Sequence, residues 1–303
     1  KTLLLMGDLF HFFFTGTKVC EFSNATTTQF YNPSTNDWAR ELLNKLEIPD
    51  HFLAPIVEPA TNLGPLLPSI AAELGIAPMP FIAPATHDTG SAVAAVPAED
   101  THYAYISSGT WSLMGVEIAE PRLGPEALHY NFTNEGGVGR SYRFLKNIMG
   151  LWLVQECRRA WEREGHTYSY GELTAMAAQA PAFTALVDPD DERFIAPGDM
   201  PSRLRDYCIE TDQLAPKDVG SIVRTALESL ALKYRHVLES LEKILGRKLE
   251  RIHIVGGGIQ NRLLCQFTAD ATQRPVVAGP IEATAIGNLM VQAIGLGEIS
   301  NLD

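Results

Sequence analysis

Two stretches of the chain carry side chains able to do chemistry. Thr86-His87-Asp88-Thr89-Gly90-Ser91 sets a carboxylate between a histidine and a threonine. It follows the apolar, Pro-bounded run Phe81-Ile82-Ala83-Pro84, which reads as a short buried strand, and precedes Ala92-Val93-Ala94-Ala95-Val96, a small-residue run able to form a helix. Strand-to-helix junctions of α/β proteins are common places for working side chains. The second stretch, Tyr105-Ile106-Ser107-Ser108-Gly109-Thr110-Trp111-Ser112, is a strand broken by Ser-Ser-Gly-Thr and resumed as Leu113-Met114-Gly115-Val116. A turn of that composition offers backbone N–H groups and hydroxyls to an anion. A carboxylate that can take a proton, with a cradle that can hold an anion, suggests phosphoryl transfer to a hydroxyl. From local pattern alone Asp88 reads equally as a helix cap and as a catalytic base.

Glycine supplies a third candidate. Arg251-Ile252-His253-Ile254-Val255 reads as a strand running into Gly256-Gly257-Gly258, followed by a helix from Asn261 to Ala271. Strand, glycines and helix N-terminus make a nucleotide-sized site, because backbone can approach a ligand where no Cβ intervenes. A dinucleotide fingerprint is not present: Gly256-Gly257-Gly258-Ile259-Gln260-Asn261 lacks its third glycine, and the next strand ends in Ala278-Gly279 where an acidic ribose ligand belongs. The Gly-rich Asn134-Glu135-Gly136-Gly137-Val138-Gly139 lacks the Lys-Ser/Thr of a P-loop and reads as a flexible hairpin connection. There is no Gly-x-Ser-x-Gly nucleophile elbow. His87-Asp88 could open a metal site, but His11, His51, His102 and His129 stand at no ligand spacing, so no metal ligand is assigned.

The elements that must position these groups follow from periodicity. Met6 to Phe14 is apolar and ends at Thr15-Gly16, the pattern of a buried helix. Asp37 to Leu46 reads as a short helix capped by Asp37; Pro49 to Pro68 is loop and edge strand; Ser69 to Leu74 is helical. Pro97-Ala98-Glu99-Asp100 marks a domain boundary, with domains at 1–98 and 99–303. Strands are expected at Tyr103–Ser107, Ser112–Glu117 and Tyr142–Leu145. Asn147 to Glu164 reads as a helix whose row Asn147, Leu151, Gln155 would place the two amides about 12 Å apart along one face. Those amides read first as solvated or capping groups. The longest helix is expected from Asp218 to Leu245, closed by Gly246; Pro275–Ala278 and Ile281–Leu296 complete the chain as strand and helix.

Length and composition narrow the class. A chain of 303 residues suits two domains. A net charge of −12, with no basic run anywhere, argues against a nucleic-acid surface. A phosphate ligand would need local backbone donors rather than a global basic field. The cysteines, Cys20, Cys157, Cys208 and Cys265, form no CxxC or metal spacing, which fits reduced thiols in a cytoplasm. The apolar stretch Leu3 to Phe14 imitates a signal-peptide core, but Asp8 and His11 interrupt it. No stretch approaches the ~18–20 apolar residues of a membrane span, so no membrane partner is expected.

In this order the pieces resemble the FGGY carbohydrate kinases. The residues that carry the resemblance are Thr86-His87-Asp88-Thr89, Ser107 to Gly115, Arg143-Phe144-Leu145-Lys146-Asn147-Ile148-Met149-Gly150-Leu151-Trp152 with Gln155-Glu156-Cys157-Arg158, Ile254 to Asn261, and Glu282-Ala283-Thr284-Ala285-Ile286-Gly287-Asn288. The likeness covers nearly the whole chain. It implies an α/β protein of the actin/hexokinase-like (ribonuclease H-like) fold, comprising the later part of domain I and domain II. It implies ATP and Mg²⁺ as cofactors and a small sugar as partner, with L-rhamnulose the sugar it points to and fuculose, xylulose and glycerol as alternatives. By the same resemblance Asp88 is the general base; His87, Thr89 and Asn147 are sugar contacts; Thr110 belongs to the second phosphate-binding turn; Gln155, Gly256, Gly257 and Asn261 border the nucleotide. No lysine sits in the phosphate turn, so Mg²⁺ would carry much of the charge neutralisation.

One departure from the family pattern stands out: no Asp-x-Gly-Thr first phosphate loop occurs near Lys1. The expectation is a chain that enters partway through domain I, binds sugar weakly and turns over poorly by itself. A non-catalytic sugar- or nucleotide-binding module of the same fold is the competing expectation, and retention of Asp88 favours the kinase.

Overall fold

Capping chemistry sets several helix boundaries in the computed structural model, which describes residues 1–302. The helices that matter below are α1 (Met6–Thr15), α2 (Asp88–Ala94), α3 (Trp152–Arg163), α4 (Val219–Leu245), α5 (Arg262–Thr272) and α6 (Ala283–Leu296). α1 stops at Gly16, whose left-handed backbone (φ 76°) returns its N–H to the Phe12 carbonyl. α4 opens on a reciprocal pair, Asp218 with Ser221, and closes at Gly246 (φ 67°). Its stripe Ile222, Ala226, Leu230, Tyr234, Val237 and Leu241 is buried, as the spacing predicts.

The largest sheet contains β1 (Tyr103–Ser108), β2 (Ser112–Ile118), β3 (Thr133–Gly136), β4 (Tyr142–Ile148), β5 (Arg251–Val255) and β6 (Val276–Ala278), in the order β6-β5-β1-β2-β4-β3. β5 pairs in parallel with β1 and with β6, while β1–β2 and β3–β4 are antiparallel. The continuously buried run Ile252-His253-Ile254-Val255 suits a parallel strand covered on both faces. Two compact units divide the chain: Lys1–Pro97, Val116–Leu145 and Glu282–Asp303 form the first, and Ala98–Gly115 with Lys146–Ile281 the second.

Four expectations are corrected. The helix from Asn147 to Glu164 is a strand end followed by a shorter helix: β4 runs through Ile148 and α3 begins at Trp152. Gly150 forces the break, since a Cβ there would lie 2.7 Å from the Trp111 carbonyl carbon and 2.8 Å from the Ser112 nitrogen. The next N–H groups, of Leu151 and Trp152, donate to the carbonyls of Gly109 and Thr110 at 3.2 and 3.0 Å. Asn147 and Gln155 therefore share no helical row.

α1 is not a buried helix. Its buried residues are the polar Asp8 and His11, whereas Met6, Phe10 and Phe13 are exposed. The Asp8 carboxylate accepts the Glu21 N–H at 2.9 Å, which turns the polar i, i+3 pair inward.

Asp37 caps no helix. Asp37–Trp38 pairs with Tyr31–Asn32, and only Arg40–Lys45 is helical, because the Trp38 indole is buried and donates to the Ala54 carbonyl at 2.8 Å.

The Gly-rich stretch is a hairpin connection only beyond Gly136. Thr133–Gly136 is strand β3, and a Cβ on Gly136 would come within 2.7 Å of the Phe22 ring. That glycine permits close packing.

α6 reaches α2 through Gly287. A Cβ at this position would overlap the Ser91 carbonyl oxygen and lie 3.3 Å from the Ala95 nitrogen. Because the obstructing atoms are backbone, no side-chain rotation relieves the overlap. Gly287→Ala should cost about 1–3 kcal/mol, read as a lowered denaturant midpoint. Gly124→Ala, whose Cβ would meet nothing within 4 Å, should leave the midpoint unchanged.

Candidate active site

The first unit builds its site from the inside outward. Glu21 is fully buried, and its carboxylate accepts four hydrogen bonds. Ser23 N–H reaches Oε1 at 2.8 Å; Ser23 Oγ, Thr86 N–H and Thr86 Oγ1 reach Oε2 at 2.5, 2.9 and 2.6 Å. Burial pushes this acid up, and the Ser23 and Thr86 donors oppose that push. Ser23 Oγ accepts the His87 N–H at 3.0 Å, and Asn24 donates to Thr86 Oγ1 at 2.7 Å. The residues just before Asp88 are thus held by a segment more than 60 positions earlier in sequence.

His87 is the N-cap of α2: its Nδ1 accepts the Thr89 N–H at 3.2 Å. Its Nε2 lies 3.7 Å from Glu135 Oε2, and that carboxylate is 3.2 Å from Nη2 of the wholly buried Arg143. Arg143 and Glu135 are cross-strand partners, and Arg143 Nε donates to the Gly136 carbonyl at 3.0 Å. Burial first, and then the Arg143 charge, holds the imidazole below its ordinary value, against the pull of Glu135 and Asp88. An accepting Nδ1 requires the neutral ring, in agreement.

Asp88 is the first residue of α2, and its side chain is 80% exposed. Oδ1 accepts the Thr89 N–H at 2.6 Å, so one oxygen serves the local turn while the side chain stays accessible. Thr89 is buried, with its hydroxyl 3.4 Å from that oxygen. Thr284 of α6 donates to the Asp88 carbonyl at 3.3 Å. Asp88 also borders a cavity of about 590 Å³ in the same unit, whose lining mixes polar residues such as Thr86, Ser91 and Thr284 with apolar ones such as Phe10, Phe14 and Phe81.

In the second unit β1 and β2 are joined by the Ser-Gly-Thr turn, closed by Gly109 N–H to the Trp111 carbonyl at 2.8 Å. Thr110 Oγ1 donates to Gln155 Oε1 of α3 at 3.0 Å, so these two predicted residues come together. Ser112 Oγ and the buried Tyr234 hydroxyl are 2.6 Å apart, tying the turn to α4. The triple glycine lies against the same turn. A Cβ on Gly256 (φ 85°) would sit 2.9 Å from the Ser108 carbonyl oxygen, and one on Gly258 would overlap Ser108 Oγ. A Cβ on Gly257 would meet nothing within 4 Å. Packing therefore demands the outer two glycines and leaves the middle one open. Beside them a cavity of about 730 Å³ is lined by Ile259, Gln260, Arg262, Cys265, Gln266 and Ile281 among others. Asn261 caps α5, accepting the Leu264 N–H at 3.0 Å, and Asn147 is exposed near the end of β4.

His87, Asp88 and Thr89 are thus grouped in one unit; Thr110 with Gln155, and Gly256 and Gly257 with Asn261, are grouped in the other. Sequence inspection assigned no role to Glu21, Ser23, Glu135 or Arg143. The available signal was a charged residue inside an apolar run, as in Cys20-Glu21-Phe22 and Tyr142-Arg143-Phe144.

Comparison with known proteins decides the family. Residues 104–296 match the C-terminal domain of the FGGY family of carbohydrate kinases, and residues 1–95 match that family's N-terminal domain. The chain belongs to the FGGY carbohydrate kinases. Among FGGY relatives, the rhamnulokinase of Bacteroides thetaiotaomicron is 47% identical over 300 residues, covering 99% of this chain and 61% of the relative. That of Enterococcus faecalis is 44% identical, covering 99% and 60%. The chain spans about three-fifths of the length of these relatives. A ligand-bound xylulose kinase from Lactobacillus acidophilus superposes with a TM-score of 0.74 at 17% identity, covering 99% of this chain and 60% of that one. A glycerol kinase from Plasmodium falciparum with ADP gives 0.70 at 16%, covering 99% and 59%. The fold is the actin/hexokinase-like α/β fold of the FGGY sugar kinases.

Beneath the FGGY site, burial pushes Asp8 up from 3.8 to about 6. The acid is protonated more readily folded than unfolded, so its ionisation penalises the folded state increasingly from pH ~4 to ~6 and by a constant amount above. Relative to Asp8→Asn, which keeps an oxygen for the Glu21 N–H, the wild type should lose up to about 3 kcal/mol across that window. Denaturant unfolding of both proteins at several pH values measures this. Parallel pH curves would show that Asp8 ionises normally.

Proposed function

We propose that the chain belongs to an ATP-dependent sugar kinase that phosphorylates L-rhamnulose to L-rhamnulose 1-phosphate, with Asp88 as general base. Two things support this reading together: identity of 40–47% to proteins named rhamnulokinase, and a carboxylate held at a helix start with its side chain accessible. In this reading residues 1–98 are the later part of the sugar-binding domain and 99–303 the nucleotide-binding domain. A soluble cytoplasmic enzyme of sugar catabolism is the setting it implies; no helix of the described residues is long and apolar enough to cross a membrane.

The roles follow from chemistry. Asp88 accepts the proton of the sugar's terminal hydroxyl as that oxygen bonds to the γ-phosphorus and the bond to the β-phosphate oxygen breaks, releasing ADP. Asn147 and Thr89 are each assigned to sugar positioning; His87, whose two ring nitrogens face Thr89 and Glu135, orients the segment that carries Thr89. Gly257, with open space at its Cα, admits the flat face of the adenosine, and Gly256 and Asn261 border it. A cavity of about 730 Å³, lined by Ile259, Gln260 and Arg262 and not by Gly256, Gly257 or Asn261, has the size of a ligand site. Thr110 presents the phosphate turn, with Gln155 fixing its hydroxyl. The donors of that turn are hydroxyls and backbone groups without a lysine, a set that fits phosphates whose charge is neutralised by an accompanying ion. Mg²⁺, when bound to the phosphates, supplies that neutralisation.

Two variants test this in the complete gene product. Asp88→Asn should lower ATP-dependent phosphorylation of L-rhamnulose by about 10²–10⁴-fold while calorimetry still detects sugar and nucleotide. Unchanged turnover would remove Asp88 from the reaction, and binding without turnover in the wild type would favour a non-catalytic module. A panel including fuculose, xylulose and glycerol decides the sugar. Gly257→Ala, whose Cβ meets no protein atom within 4 Å, should weaken ATP binding without moving the melting temperature.

A further inference from the structure

We infer that Glu21 is the positioning residue for Asp88, acting through the two residues that precede it. This inference rests on the reading of Asp88 as the base. The carboxylate of Glu21 has no exposure and sits among donors supplied by Ser23 and Thr86. Thr86 is bound twice, through N–H and hydroxyl. His87 is bound through a relay: its N–H donates to Ser23 Oγ, which donates to Glu21 Oε2. α2 starts at Asp88, so the direction of its first side chain is set by the two peptide units held in this way. Glu21 is itself fixed from behind, since its N–H donates to Asp8 Oδ1.

The chemistry of the site calls for a carboxylate. Oε2 accepts three hydrogen bonds and Oε1 one, all from N–H or O–H donors. A glutamine must put its NH₂ at one of these positions, where it faces either the Ser23 N–H or the three donors around Oε2. An aspartate is one methylene shorter and cannot span both Ser23 and Thr86. Loss of the tether should let the 86–87 segment relax and misplace Asp88, and a displacement near 1 Å of a reacting group costs about 10²-fold.

The test uses the complete gene product and two independent readouts. In Glu21→Gln, amide exchange of Thr86 and His87 should accelerate while that of Ala92–Ala94 in α2 does not. The kcat for sugar phosphorylation should fall about 10–100-fold, with KM for ATP unchanged. Added to Asp88→Asn, Glu21→Gln should lower kcat no further, because a group acting through Asp88 has nothing left to position. Thr86→Val, which removes only one of the donors, should show a smaller version of each effect, and Thr86→Ser should restore wild-type values; these serve if Glu21→Gln fails to fold. Unaltered exchange at Thr86 and His87, or losses that multiply with Asp88→Asn, would overturn the inference. If the wild type transfers no phosphoryl group to any sugar, the kinase reading fails by itself, and the tether then stands or falls on the exchange data.

Discussion

A carboxylate removed from water must be given donors, and in the first unit this requirement organises everything around Asp88. Among the described residues no cation pairs with Glu21; its compensation is two backbone N–H groups and two hydroxyls. Each of these is worth little while water can replace it, and much more where desertion leaves a charge stranded. The segment at 84–88 therefore has one low-energy path, with Thr86 against Glu21 and His87 against Ser23. Small residues make the approach possible: a Cβ on Gly90 would lie 3.2 Å from the Ala85 Cβ and 3.4 Å from the Ser23 Cβ, and one on Gly7 would lie 2.8 Å from the Thr86 Cβ. The apolar exterior of α1 follows from the same cause, because Asp8 must face inward to meet the Glu21 N–H and so turns Met6, Phe10 and Phe13 outward.

The second unit solves a different problem with the same economy of means. In the proposed site its Ser-Gly-Thr turn offers donors to a phosphate, a role that leaves its own acceptors to be satisfied elsewhere. The first N–H groups of the α3 region cover the Gly109 and Thr110 carbonyls, and these are groups a helix start leaves without partners of its own. The Tyr234 hydroxyl covers Ser112 from below. Gly256 and Gly258 let the β5 turn press onto Ser108, and Gly150 lets the β4 turn press onto Trp111 and Ser112. Three chain segments converge on one turn, two of them at backbone distance and α4 through the Tyr234 hydroxyl. Side chains are absent from two of those contacts because there is no room for them.

Legibility in the sequence tracks how local the controlling interaction is. α4 was readable from end to end because its stripe, its Asp218 cap and its Gly246 stop all act within a few residues. The strands β1, β2 and β5 were readable for the same reason. α3 was misplaced because the residue that delays it, Gly150, is constrained by Trp111 and Ser112, some 40 positions away. Asp37 resembled a cap until the burial of Trp38 beside it chose a strand. The helix Tyr170–Gln179 announced itself with the reciprocal box Ser169–Glu172 and was still passed over, a local signal overlooked. At the site, Asp88, Thr110 and the glycines stood out by type and spacing. The residues beneath them did not, since a buried Glu21 or Arg143 is distinguished only by partners that the chain brings from far off.

His87 shows how these supports combine. A histidine next to a catalytic-looking aspartate invites assignment as an acid or a second base, yet its geometry favours neither. Its Nδ1 is spent on the Thr89 N–H, its Nε2 faces a carboxylate already paired with Arg143, and its backbone N–H is taken by Ser23. Burial and the nearby guanidinium both disfavour a proton on the ring. Protonation would require Nδ1 to release Thr89 and so loosen the start of α2. A ring kept neutral leaves Asp88 as the one exposed titratable group of this cluster, with its turn held from Glu21 on one side and from Glu135 and Arg143 on the other. The placement of Asp88, the proposed base, is thus over-determined by buried ionisable side chains on both sides of its turn.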